Sequence, residues 1–350
     1  MQWNDIYVSA GAAWLGEPED VLDAVADGRY DAEECKEDDY LAVRVAGEES
    51  PADMTVAAAK KALARSGTAA DDIALFLHAT TSFQGLDHFT PVSYILDRAV
   101  GGTAPALEVK QACNGGMASI EVAAAYLSAM RSGPDSALVT TGDKFNLPGY
   151  DRYRSDKGML RGDGATALVL SRRPGVARLL STALLDDPTH EGVYRGQGEW
   201  ASGSGEHGWP VNLRARTKQY LERGQTTVPE LVQSITVREQ ETIHRALADA
   251  GITGDEVARF VFPNAGRTLV DWDSRAQAFG VTEEKALWHW GRQVGHIGAG
   301  DQAAGLVHLL ETGAVSPGDK VLLFGIGGGF HFGCAVLEIL EQPEWDSSTD

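Results

Sequence analysis

A chain of 350 residues, 43% hydrophobic and 23% charged, is long enough for one large domain or two medium ones and has the composition of an ordinary soluble globular protein. Thirty Lys+Arg against fifty Asp+Glu leave a net charge of -20, and a surface of that sign repels phosphate backbones and anionic lipid, which argues against nucleic acid and membrane partners. Cys35, Cys113 and Cys334 are widely spaced with no C-x-x-C pair, the first twenty residues lack a basic leader, and no apolar run approaches the ~18 residues of a membrane span, so the chain reads as cytoplasmic, without a disulfide framework or zinc knuckle.

Taken in order, the chain opens with a short strand at Ile6–Ala10, followed by an acidic, irregular stretch through Glu48. An Ala-rich run at helical spacing predicts a helix over Ala52–Ser66, and Ile73–Ala79 predicts a short buried strand. From Pro105 a strand leads to Cys113, a helix runs on to about Ser132, and a strand follows at Ala137–Thr141. Strands alternating with helices imply an α/β fold with a largely buried sheet.

The second half repeats the first. Sliding by 184 places Ala62, Leu63, Ala64, Gly67, Asp71, Ala74 and Phe76 on identical residues, seven matches in the 22 ungapped positions from Ala59 to Thr80, and the same offset carries Asp135 onto Asp319 and Leu138 onto Leu322. Two similar halves are therefore expected, residues 1–175 and 176–350. The joining stretch 176–225 is read as connecting, with the Gly- and Trp-rich segment Glu191–Pro210 as a cover over a pocket.

Cys113 sits where a strand-like approach ends, small residues crowd the thiol and a helical run begins, a position in which unpaired N–H groups and the helix dipole favour a thiolate. A buried structural thiol is the alternative. The offset carries Cys113 to Ile297, one residue past His296, so the two equivalent turns face each other if the halves are related by a two-fold. Asp301 lies five residues beyond His296, and a nucleophile, a base and an orienting carboxylate are what activate a thiol; helix capping is the other reading of Asp301. The loop Gly327-Gly328-Gly329 follows a strand without the helix a dinucleotide fingerprint needs, but such a loop can offer N–H groups to an oxyanion. The histidines lack a closing pattern for a metal.

Ala112-Cys113-Asn114-Gly115-Gly116, Gly162-Asp163-Gly164-Ala165 and Gly327-Gly328-Gly329-Phe330 together resemble the ketoacyl synthase III branch of the thiolase-like superfamily. The resemblance implies a five-layered αβαβα fold, a homodimer, and an acyl-cysteine formed from a coenzyme A or acyl-carrier-protein thioester with no further cofactor. It implies that Cys113 is acylated, with the N–H groups of Cys113 and Gly328 forming the oxyanion hole. Condensing members carry a His where this chain has Asn264, and an Asn where it has His296. That exchange is similar to acyltransferase variants from antibiotic biosynthesis with a Cys, His, Asp triad, which assigns Cys113, His296 and Asp301 and leaves Asn264 as a substrate-polarising candidate. The family's coenzyme-A-contacting stretch has no counterpart around Asp39–Arg44, which turns the expected donor toward a carrier protein; Arg214, Arg216 and Lys218 form either its docking patch or a solvated helix face. The expected activity is acyl transfer to a hydroxyl, amine or carrier thiol of polyketide or antibiotic biosynthesis, with an initiating decarboxylative synthase and an inactive dimer partner as alternatives.

Overall fold

The computed structural model describes residues 1–345 apart from 197, 199 and 204. In chain order the strands are β1 (Tyr7–Leu15), β2 (Glu17–Asp20), β3 (Ala42–Val45), β4 (Ile73–Ala79), β5 (Ala106–Val109), β6 (Ser136–Asp143), β7 (Gly164–Ser171), β8 (Ala177–Asp186), β9 (Val257–Val261), β10 (Lys320–Gly327) and β11 (His331–Ile339). β2 and β3 form a small hairpin, and the other nine run in the order β5-β4-β6-β7-β1-β8-β11-β10-β9. The two halves of that sheet meet at β1 and β8 through only two residue pairs, Tyr7 with Arg178 and Val8 with Ala177.

Helices cover both faces of each half. Pro51–Ser66 begins on Ser50, whose hydroxyl accepts the N–H of Asp53, and stops at Gly67 with φ 64°, a left-handed cap that glycine adopts without steric cost. Its small buried residues, Ala52, Ala58, Ala59 and Ala62, bring it close onto β1, β6 and β7. Val228–Ala250 covers β8 and β11 in the same way and ends at Gly251 with φ 71°. Between the halves lie two central helices, Gly115–Ala129 and Asp301–Glu311, whose Met117, Leu127, Leu306 and Leu309 share one core with Leu77, Val139, Leu323 and Leu337. The layers are thus helix, sheet, central helices, sheet, helix, the αβαβα order expected.

The offset of 184 holds at the level of elements. It carries β6 onto β10 residue for residue, the start of β4 onto the start of β9, and the turn Ala70–Asp72 onto Gly254–Glu256. Two expectations need correcting. The acidic stretch through Glu48 is ordered: Asp20 and Asp31 cap the helices Val21–Ala26 and Ala32–Asp38 by accepting the N–H groups of Leu22 and of Glu33 and Glu34, so residues that look like loop in sequence are helix starts. Residues 176–225 open with β8, a central strand paired along β11, so its first fifth is sheet rather than connection. In the segment read as a cover, Gly192–Arg195 is helical, Trp200 is 90% exposed, and Gln197, Glu199 and Ser204 lie outside the described residues. No helix among the described residues is long and apolar enough to cross a membrane.

Candidate active site

β5 ends at Val109, four residues before the thiol, and the chain turns sharply through Gln111-Ala112-Cys113-Asn114. Asn114 and Gly115 donate to the carbonyls of Gln111 and Ala112 at 3.1 and 3.0 Å, and Ala112 is held at φ 47°. A positive φ on a residue with a Cβ costs on the order of 1–2 kcal/mol and persists only where the surroundings impose it. Cys113 immediately precedes Asn114, the N-cap of the central helix Gly115–Ala129, so its sulfur lies at the positive end of that helix while remaining only partly buried.

The second central helix supplies the partner. His296 is buried, its N–H donating to Leu160 O at 2.8 Å and its carbonyl accepting from Gly162 N at 3.0 Å, so the segment before Asp163 holds the imidazole in place. His296 Nε2 stands 3.0 Å from Cys113 Sγ, and His296 Nδ1 donates to Asp301 Oδ2 at 2.5 Å. Asp301 has no exposure and accepts twice more, from Asn264 N at 2.7 Å onto Oδ2 and from Ile297 N at 2.8 Å onto Oδ1. The capping and orienting readings of Asp301 merge: one carboxylate holds the turn and fixes the histidine with its proton on Nδ1.

The central helices can approach this closely because Gly116 faces the opposite turn; a Cβ there would lie 2.4 Å from Ala299 O. Gly298, at φ 68°, packs on Asp143, whose Oδ2 accepts the N–H of Ala299 at 3.1 Å. Asp143 Oδ1 takes Thr80 Oγ1, Thr81 N and Ser82 N at 2.9, 2.7 and 2.6 Å. That single buried carboxylate ties the end of β4 to the turn that carries the base.

Burial alone would raise the Cys113 thiol, but the charge and hydrogen bond of His296, and then Arg161, bring it below its ordinary value. Burial alone would lower His296, but the Asp301 carboxylate and then the Cys113 thiolate raise it. Both directions describe a thiolate–imidazolium pair.

Arg161 escaped the sequence reading. Its Nη1 reaches Cys113 Sγ at 3.6 Å, Nη2 pairs with Asp156 Oδ2 at 3.0 Å and Nε donates to Tyr150 Oη at 3.2 Å, with the side chain 6% exposed. Phe145 and Tyr150 lie against its guanidinium plane. Tyr194 lies close by: its ring packs on Gly328, and after burial the charges of Asp156 and Cys113 hold its hydroxyl well above the usual range. The only signal in the sequence was an Arg directly before Gly162-Asp163-Gly164.

The remaining candidates fall into place around this centre. A Cβ on Gly327 would lie 2.5 Å from Gln111 O and 2.9 Å from Asn114 N, so the loop carrying Gly328 abuts the Cys113 turn. Asn264 sits behind Asp301, its Nδ2 donating to Gly295 O at 2.9 Å and its carbonyl accepting from Tyr40 Oη at 2.7 Å, and none of its hydrogen bonds reaches Cys113. Arg214 is held bidentately by Glu34 at 2.6 and 2.8 Å and also donates to Asp156 O, so of the three expected docking cations Lys218, in a 3.8 Å pair with Glu222 and 77% exposed, is the one facing solvent.

Asp163 is structural. Buried completely, it accepts from Ala46 N, Phe145 N and both Nη atoms of Arg152, whose Nη1 also donates to Arg161 O. Asp163→Ala strands a buried guanidinium and two N–H groups, and denaturant unfolding is expected to show a loss of about 3–5 kcal/mol. A loss below about 1 kcal/mol would contradict this role.

Among known proteins, residues 107–188 match the 3-oxoacyl-[acyl-carrier-protein (ACP)] synthase III family and residues 247–339 its C-terminal region. The beta-ketoacyl-[acyl-carrier-protein] synthase III of Chelativorans sp. (strain BNC1) is 27% identical over 299 residues, 83% of this chain and 84% of its own. That of Rhizorhabdus wittichii is 28% identical over 300 residues, 84% and 86% of the two chains. The solved structure of ChlB3, described as an acyltransferase, superimposes with a TM-score of 0.91 at 35% identity, over 97% of this chain and 99% of that one. The synthase III of Aquifex aeolicus VF5 shares the fold with a TM-score of 0.76 at 19% identity, over 95% and 99%. The nucleophile turn, the layered architecture and these matches agree: the chain belongs to the 3-oxoacyl-[acyl-carrier-protein] synthase III family, with its thiolase-like αβαβα fold.

Proposed function

We propose that this family member is an acyltransferase that works through an acyl-Cys113 and does not decarboxylate its substrate. The observation that carries the reading is the single imidazole at the thiol: His296 faces Sγ at 3.0 Å, while Asn264 donates its side-chain N–H to Gly295 O. One base beside a thiol serves two acyl transfers. Holding a second thioester carbonyl while CO2 leaves needs a donor at the position of Asn264, whose side-chain N–H is taken up by Gly295 O.

In the first transfer the Cys113 thiolate attacks the carbonyl of a coenzyme A or carrier-protein thioester. The N–H groups of Cys113 and Gly328 receive the oxyanion, and the departing thiolate takes the proton from His296 Nε2. In the second, neutral His296 removes the proton of a hydroxyl, amine or carrier thiol as it attacks the acyl-enzyme, and collapse restores the thiolate–imidazolium pair. Asp301 holds the imidazole with Nδ1–H toward itself in both steps. The thioester supplies the activation, so no cofactor enters. The likeness to ChlB3, described as an acyltransferase, at 35% identity supports the activity; a cytoplasmic homodimer in polyketide or antibiotic biosynthesis belongs to the same proposal.

Decarboxylative synthesis is the second reading, favoured by the names of the curated relatives. Incubation with acetyl, butanoyl and malonyl thioesters, followed by intact-protein and product mass spectrometry, separates the two. Acyl transfer gives Cys113 carrying the whole acyl mass and a product without carbon loss, whereas CO2 release with a 3-ketoacyl product overturns it. Labelling that survives in Cys113→Ala would mean an inert thiol and an inactive dimer partner.

A further inference from the structure

Arg161 marks the kind of acyl group that this site accepts. Cys113 Sγ is flanked by two cationic donors, His296 Nε2 at 3.0 Å and Arg161 Nη1 at 3.6 Å. Both are satisfied by a thiolate, and acylation removes that charge by turning the sulfur into a thioester, a poor acceptor. The two donors then respond differently. His296 sheds its proton to the leaving thiolate, but a guanidinium cannot be deprotonated, so Arg161 is left with a buried, charged N–H that has lost its partner. An unmet charged donor out of water is strongly unfavourable, and the incoming acyl chain is the group placed to meet it.

The neighbouring groups define what would fit. Asp156 already pairs with Arg161 Nη2 at 3.0 Å, so once the thiolate charge is gone Arg161 and Asp156 balance each other. An acyl carboxylate would bring a second negative charge toward Asp156 and Asp301, where the other neighbouring guanidinium, Arg214, is already held bidentately by Glu34, whereas a neutral oxygen completes Arg161 at no such cost. Tyr150 accepts from Arg161 Nε at 3.2 Å, leaving its own O–H free to donate, and Tyr194, packed on Gly328, makes no hydrogen bond through its hydroxyl among the described residues. Arg161 Nη1–H is thus the charged donor beside the thioester, with the Tyr150 hydroxyl bonded to the same guanidinium and Tyr194 against the neighbouring Gly328.

We infer that this site selects acyl groups bearing a neutral hydrogen-bond acceptor, a hydroxyl or carbonyl oxygen, on the carbons next to the thioester carbonyl, with Arg161 as the specificity-determining residue. The inference rests on the acyl-Cys113 reading and adds the substrate class to it.

The test measures second-order rates of Cys113 acylation, by intact mass, with N-acetylcysteamine thioesters of butanoate, 3-hydroxybutanoate, 3-oxobutanoate and malonate. Wild-type protein is expected to prefer the two neutral oxygenated chains over butanoate by about 10–100-fold, the discrimination that a hydrogen bond to a charged donor supports. Arg161→Met lowers all rates by weakening the thiolate, so the ratio between substrates is read, and it is expected to fall to within about 3-fold of unity. Arg161→Lys keeps a cation and is expected to retain part of the preference, while Tyr194→Phe reduces it; these two serve if Arg161→Met does not fold. A ratio unchanged in the Arg161 or Tyr194 variants overturns the inference, as does a wild-type preference for butanoate or for malonate. No labelling by any thioester overturns the acyltransferase reading and the inference with it, whereas labelling without discrimination overturns the inference alone.

Discussion

His296→Ala is expected to slow acylation of Cys113 by about 10²–10⁴-fold, the range over which a positioned acid–base group acts. The same substitution is expected to move the pH at which the thiol reacts. In the wild type His296, and secondarily Arg161, hold Cys113 below its ordinary value against the upward push of burial. Alkylation by iodoacetamide should therefore persist below the ~8.5 of a free thiol and shift upward in the variant. Superimposable alkylation profiles would remove His296 from the activation of Cys113.

A thermodynamic consequence follows from the same two directions. His296 has a raised folded value, so its contribution to stability is complete below about 6.5 and is lost as pH rises toward the folded value. Cys113 has a lowered folded value, so its contribution is complete above about 8.5 and is lost as pH falls toward the folded value. Between those limits the folded pair and the unfolded chain each carry one proton, one on imidazolium and one on thiol, and the two slopes cancel. The stability of the wild type minus that of the double variant Cys113→Ala/His296→Gln is thus expected to be flat from about pH 6.5 to 8.5 and to decline on both sides. A difference that rises or falls steadily through that window would contradict a thiolate–imidazolium pair.

The other large effect is expected at a residue that touches neither the thiol nor the imidazole. Gly298→Ala places a Cβ 2.0 Å from Asp143 Oδ2 at φ 68°, inside a buried carboxylate already bonded to Ala299, Thr80, Thr81 and Ser82. Moving Asp143 aside breaks these bonds, and moving the turn carries His296 and Asp301 away from Sγ. We expect a stability loss of about 3–5 kcal/mol, comparable to breaking a buried charged network, and an acylation rate at least ~10²-fold lower, since displacements of about 1 Å at a reacting centre have that effect. Calorimetry and the mass assay read the two separately. Wild-type acylation by Gly298→Ala would show that the Asp143 contact does not position the base.

Much of this site was legible in sequence because its parts lie on periodic or repeated elements. Ile73–Ala79 is buried at every position and reads as an apolar run; its observed bounds are those expected. The offset of 184 predicted that the turns of Cys113 and His296 face each other, and they do so at 3.0 Å. What could not be read depends on groups brought together from irregular segments. Arg161, Asp156 and Tyr150 belong to a polar stretch with no period, and their meeting around a thiol is fixed by backbone bonds such as His296 N to Leu160 O. The helices within residues 20–38 were hidden because Asp20 and Asp31 act as caps, a role that raw acidity does not reveal. β8 was missed because the junction between the halves was expected to be a loop, whereas it is where the sheet continues through Tyr7 and Val8.

Placing the thiol and its base on opposite central helices also sets when the chain becomes reactive. During synthesis Cys113 leaves the ribosome 183 residues before His296, and until that second turn docks, Gly116 against Ala299, the thiol lacks the imidazolium that acidifies it. On the acyl-Cys113 reading, a nascent, truncated or half-folded chain carries a thiol without its base and would not load acyl groups from the surrounding pool of thioesters. Chemical competence would arrive with the last quarter of the polypeptide, so acylation of Cys113 would report that the whole molecule has closed.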